Sequence, residues 1–65
     1  MKEYSNSQIR ELIAEWIHNE RDREILCYRL IDGLTFEKIA SLEDMSPRQI
    51  KNIVYKAQEQ LFMRL

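Results

Sequence analysis

Between Arg48 and Lys56 the chain sets Lys51, Asn52 and Tyr55 among Ile50, Ile53 and Val54. As a helix that buries its three aliphatic residues, this segment turns Pro47, Arg48, Lys51, Asn52, Tyr55 and Lys56 outward. Such a face holds no nucleophile, base or metal-ligand set. It holds donors and positive charge, which is the chemistry for reading a polyanion with ordered edges. A guanidinium offers guanine two parallel donors, and a carboxamide pairs with adenine, so Arg48 and Asn52 suit base edges. Lys51, Tyr55 and Lys56 suit phosphate oxygens, as do the backbone N–H groups that open the helix at Ser46 and Pro47. Gln49 is expected to act locally as a capping partner, within reach of a base.

The rest of the chain offers little else that could react. Cys27 and His18 stand alone in their residue types. A single thiol forms no disulfide within the chain, and one thiol with one imidazole makes no zinc site. There is no glycine-rich phosphate loop and no nucleophile with a base and an orienting group. The expectation is a protein that is not an enzyme, with no metal, no cofactor and no small-molecule substrate. Cys27 reads as an inert, partly buried small residue. His18 reads as a charge favourable to the end of a helix.

The elements that would position the polar face follow from periodicity and caps. The chain has 65 residues, one glycine and one proline, with 45% hydrophobic and 32% charged residues. That composition is ordinary for a compact helical domain and leaves little room for loops. At this length roughly 60% of the unfolded surface can be buried, so the core is small. Ser5-Asn6-Ser7 offers caps for a first helix, roughly Ser7 to His18, with a stripe of Ile9, Leu12, Ile13, Trp16 and Ile17. Trp16 on that stripe is expected in the core. Asn19 caps a second helix, with Asp22 as a short-armed capping-box partner, Ile25, Leu26, Tyr28, Leu30 and Ile31 as apolar surface, and Gly33 as its stop. Thr35 caps a short third helix with Phe36, Ile39, Ala40 and Leu42 inward. Ser46 at the cap, Pro47 at the first position and Gln49 at the third open the fourth helix. Its stripe is Ile50, Ile53, Val54, Ala57 and Leu61, and it runs to Phe62 or beyond.

The expected fold is therefore all-α: a compact four-helix domain over 1–65, without a sheet. Its third and fourth helices form a helix-turn-helix across 35–56. The motif needs a small residue where its helices cross, which is Ala40, and an apolar plug under the turn, which is Met45. The second helix of such a motif enters the DNA major groove. Charge is asymmetric in the same sense. The net charge of the chain is −1, but residues 46–65 hold Arg48, Lys51, Lys56 and Arg64 against Glu59 alone, and residues 1–45 are acidic. Such asymmetry can mark a nucleic-acid face on an acidic body. There is no secretory leader and no apolar run of membrane-spanning length, so a cytoplasmic setting is expected.

The stretch from Glu20 to Leu61, ERDREILCYRLIDGLTFEKIASLEDMSPRQIKNIVYKAQEQL, resembles region 4 of sigma-70-type RNA polymerase sigma factors and related small phage and bacterial regulators. The Arg-x-x-Ile-Leu run, Asp32-Gly33-Leu34-Thr35, Ile39-Ala40, Met45-Ser46 and Ile50-Lys51 before Ala57 and Leu61 carry the likeness. It spans about two-thirds of the chain. It implies a helix-turn-helix whose second helix reads a promoter element through Arg48, Lys51, Asn52, Tyr55 and Lys56, and a surface that can touch RNA polymerase. The chain departs from the pattern at Asp44, where glycine is common, and at Glu43, where an apolar residue usually points inward. Aspartate tolerates a left-handed backbone. For Glu43 the expectation is either a shifted turn or an exposed side chain. Nothing in the sequence corresponds to a segment that binds core polymerase or reads the −10 element, so a complete sigma factor is not expected.

Two functions compete. One is a sequence-specific regulator of transcription that binds double-stranded DNA, as a homodimer on an operator or promoter. The other is a protein-interaction module that binds RNA polymerase or another protein, with little DNA affinity of its own. The acidic first half favours the second. The apolar tail Leu61-Phe62-Met63-Arg64-Leu65 suits either packing against the first helix or a dimer seam.

Overall fold

A computed structural model describes residues 4–63. Four helices follow in order: α1 (Asn6–Trp16), α2 (Glu20–Leu30), α3 (Phe36–Glu43) and α4 (Pro47–Phe62). The described residues contain no strand, and no helix among them is long and apolar enough to cross a membrane. The expected all-helical, four-helix class is the one observed.

Local chemistry sets the starts. Ser5 accepts the Gln8 N–H at 3.2 Å, and Gln8 accepts the Ser5 N–H at 2.8 Å, a reciprocal box that opens α1. Asn19 accepts the Asp22 N–H at 3.1 Å and opens α2, and Thr35 does the same for α3 through the Lys38 N–H. The arm of Asp22 returns no bond to Asn19, so α2 has half a box. Ser46 and Gln49 form the second full box, with Pro47 at the first position of α4, where its missing N–H costs nothing.

The stops differ from expectation at α1. Ile17 is an extended C-cap at φ −108, not a helical residue, and its buried side chain faces the core. His18 lies beyond the cap and is exposed, so it is not part of the last turn. Two left-handed residues make the later turns. Gly33, at φ +71, follows α2 and lets the Leu34 N–H return to the Tyr28 carbonyl at 3.0 Å. Asp44, at φ +55 and ψ +47, ends α3, and the Met45 N–H returns to the Ala40 carbonyl at 2.9 Å.

Ile13, Ile17, Ile25, Leu26, Ile39, Ala40, Ile50, Val54, Ala57 and Leu61 form one buried cluster. Trp16, Cys27, Phe36, Met45 and Ile53 pack against its edge. α2 and α4 each touch all three other helices, and α3 lies against both of them.

α3 corrects the reading of its inward face. Leu42, expected inward, is 51% exposed. Glu43 is neither exposed nor moved by a shifted turn. It shares a helical face with Phe36, Ile39 and Ala40, three and four residues apart, so it is half-buried. Loss of water raises its pKa above the usual glutamate value, as does a side-chain hydrogen bond with Glu24, while Arg21 opposes the rise. Glu24 also accepts the Tyr28 hydroxyl at 3.1 Å, and that bond raises the phenol pKa. The two carboxyl groups thus lie near one another where the end of α3 meets the side of α2.

Candidate nucleic-acid interface

α4 is the longest helix, and its two faces have different fates. Ile50, Val54, Ala57 and Leu61 are buried, and Ile53 is half-buried. Pro47, Arg48, Lys51, Asn52, Tyr55 and Lys56 are all exposed. Arg48, Asn52 and Lys56 make no hydrogen bond or ion pair with another described residue. Two cations and a carboxamide are thus held on a rigid helix with their polar ends in water.

Ser46 and Gln49 sit on the same end of α4 in another condition. The Gln49 amide oxygen accepts the Ser46 N–H at 3.0 Å and lies 3.2 Å from the Ser46 hydroxyl, which accepts the Gln49 N–H at 3.2 Å. Both side chains are engaged in holding the helix start, as expected of Gln49. Their exposed positions keep the start of α4 open to solvent.

Phe36 adds a feature that the stripe on α3 did not foretell. Half-buried at the first position of α3, it meets Tyr55 edge-on, with ring centroids 5.9 Å apart and planes at 77°. Its ring also receives Lys51 Nζ at 5.7 Å from the centroid and the Arg29 guanidinium at 4.3 Å. An aromatic ring attracts cations to its face. The ring therefore sets Lys51 and Tyr55 along the α3 side of α4. Arg29 is fixed further by a 2.9 Å bond from Nη1 to the Leu34 carbonyl. No periodicity signal points to Arg29. The position of Phe36 directly after a cap is a signal, but only packing supplies the partners.

On its other flank α4 faces the corner between α1 and α2. An open cleft of about 450 Å³ lies there, with Trp16, His18, Arg21, Asp22, Lys56 and Gln60 among its walls. Lys56 is the member of the predicted face that opens onto it. The sequence stripe gave no reason to bring His18 and Arg21 to this place, because the corner is made by long-range packing.

A second concave surface is apolar. Tyr4, Ile9, Leu12, Leu30, Leu61 and Phe62 line a groove of about 110 Å³ where α1 meets the end of α4. Phe62 of that lining is 57% exposed, and Met63, 82% exposed, lies instead with Lys56, Glu59 and Gln60. Of the apolar tail, Leu61 packs inward and these two do not. Arg64 and Leu65 lie outside the described residues. Cys27 is a half-buried free thiol, and no group of three metal-ligating side chains comes together among the described residues.

Comparison with known protein families, curated proteins and solved structures found no match to this chain. The functional reading therefore stands on the residues and their arrangement.

Proposed function

We propose that this chain is a sequence-specific regulator of transcription that binds double-stranded DNA in the cytoplasm. In this reading α3, the turn through Asp44 and α4 work as a helix-turn-helix, with α4 in the major groove. The observation that carries it is the outward face of α4: Arg48 and Asn52 exposed and unengaged, flanked by Lys51, Tyr55 and Lys56. An α-helix with its side chains is about 10–12 Å across, and the major groove is about 12 Å wide. Arg48 and Asn52 then contact base edges. Lys51, Tyr55 and Lys56 contact phosphates, and Ser46, Pro47 and Gln49 hold the helix start against the backbone. No catalytic step, metal or cofactor belongs to this reading.

A homodimer on an operator or promoter completes it. The apolar groove with its exposed Phe62, and the exposed Met63 that follows in the chain, are the support for a seam at that end of α4. Two-fold partners would read half-sites about one helical turn apart or a multiple of it. Selection of bound duplexes from a random pool, with affinity followed against salt, tests the proposal. The expected product is an enriched inverted repeat with a steep salt slope. Arg48→Ala should then cost on the order of 1–3 kcal/mol and relax the preference at one base position. Absence of any enriched sequence would sink the sequence-specific reading.

The same apolar end supports the second reading, a module that binds RNA polymerase or another protein. Recovery of polymerase by the chain without DNA, together with no enrichment in the selection, would favour it.

A further inference from the structure

A helix lying in the major groove has a phosphodiester strand on each side, because groove and helix are of nearly equal width. On one side of α4 stand Lys51, Tyr55 and the Phe36 ring of α3. On the other side stands the cleft at the α1–α2 corner, whose walls include Lys56 of α4 together with Arg21 and His18. We propose that this corner cleft is a second backbone site, in which Arg21 and Lys56 grip a phosphodiester group of the strand that α3 does not reach.

The inference rests on the DNA-binding reading and adds a contact that the stripe on α4 does not contain. Three features support it. The cleft is open and about 450 Å³ in volume, so a phosphate can enter without displacing the core. Its basic walls come from two elements, Arg21 from α2 and Lys56 from α4, so a ligand there would fix the corner against the recognition helix. Asn19 and His18 add polar groups on the connection itself.

Asp22 is the one carboxylate in the lining. Its Oδ1 is shielded from water without a hydrogen bond and lies 3.8 Å from Arg21 Nε. Asp22 offsets part of the positive charge, as does Glu43 at the end of α3, which Arg21 also attracts. The Arg21 side chain remains 54% exposed, so its guanidinium is still accessible to an incoming anion. Arginine suits the task because its planar fork can donate two bonds to one phosphate. The neighbouring Arg23 cannot serve, since Nε and Nη2 donate to the carbonyls of Ile17 and Ala14.

The test is duplex affinity against potassium chloride concentration, by anisotropy, on the selected sequence and on a scrambled one. Arg21→Gln should lower the salt slope by about 0.9, the loss of one phosphate contact, and weaken both duplexes alike by about tenfold. Arg21→Lys should keep the slope near that of the parent. Melting each variant without DNA separates binding from folding. If Arg21→Gln keeps the parent slope while Lys51→Ala lowers it, the corner site is wrong and the DNA-binding reading survives. If Arg21→Lys loses as much as Arg21→Gln and both melt early, Arg21 is structural and the corner site is again wrong. If the parent chain shows no salt-dependent duplex binding, both the site and the reading fall together.

Discussion

α2 and α4 carry cations for opposite ends. Only three of the eleven residues of α2 are exposed, against ten of the sixteen of α4. Two of the three arginines of α2 are correspondingly drawn into the fold: Arg23 closes the carbonyls at the end of α1, and Arg29 holds the Leu34 carbonyl beside the Phe36 ring, while Arg21, at the start of the helix, stays exposed. The cations of α4 are not drawn in. Arg48 and Lys56 meet no described partner, and Lys51 meets the Phe36 ring at 5.7 Å from its centroid. The same residue chemistry is a staple where the side chain is enclosed by neighbouring helices and, under the proposed function, a docking group where it is left open to solvent. Net charge cannot separate the two uses; exposure and engagement can.

The largest expected effect attacks the surrounded helix. Leu26 is fully buried in α2. Leu26→Ala should cost about 2–5 kcal/mol through lost burial and a cavity that the packed helices cannot collapse. A domain this small has little stability to spare. Urea unfolding measures the loss, and a cost below about 1 kcal/mol would show α2 to be less central than its packing implies.

The second prediction sets one cation of each helix against the other. Arg23→Ala strips donors from two carbonyls at the α1 end and removes a packed stem, for about 1–3 kcal/mol of stability. Lys56→Ala should change stability by no more than about 0.5 kcal/mol, as a surface substitution without a partner, while weakening duplex binding. Equal effects on melting would erase the distinction between staple and docking group.

What could be read without coordinates followed the same division. The caps at Asn19, Thr35 and Ser46 were legible because a cap is a bond between neighbours in sequence. So was the stripe of α4, since one clean face is a periodic signal, whereas a left-handed Asp44 was suggested only by the glycine common at its place in the family pattern, with a shifted turn left open. The inward position of Glu43 was not legible. α3 has only eight residues, so Leu42 and Glu43 offered competing registers, and the apolar residue was the natural choice. At its half-buried place Glu43 lies near Glu24 of α2, and that neighbour together with loss of water favours its neutral form. The Phe36 platform and the corner cleft were equally hidden, being meetings of residues far apart in the chain.

That half-buried glutamate gives the smallest effect and the finest test of how α2 uses charge. The pKa of Glu43 is raised in the folded chain, first by loss of water and then by the bond with Glu24. The neutral carboxyl is therefore the form that the fold prefers. Its contribution is complete below the ordinary glutamate value and is lost as pH rises from there through the raised folded value. Above that range two carboxylates face each other, with Arg21 as partial relief. Glu43→Gln keeps a donor for Glu24 and removes the titration. Its melting temperature should equal or trail that of the parent in acid, then exceed it modestly at neutral pH, the gain limited by solvent screening of a half-buried site. Parallel melting curves from acid to neutral pH would mean that Glu43 and Glu24 do not share a proton, and that α3 is held to α2 by its apolar residues alone.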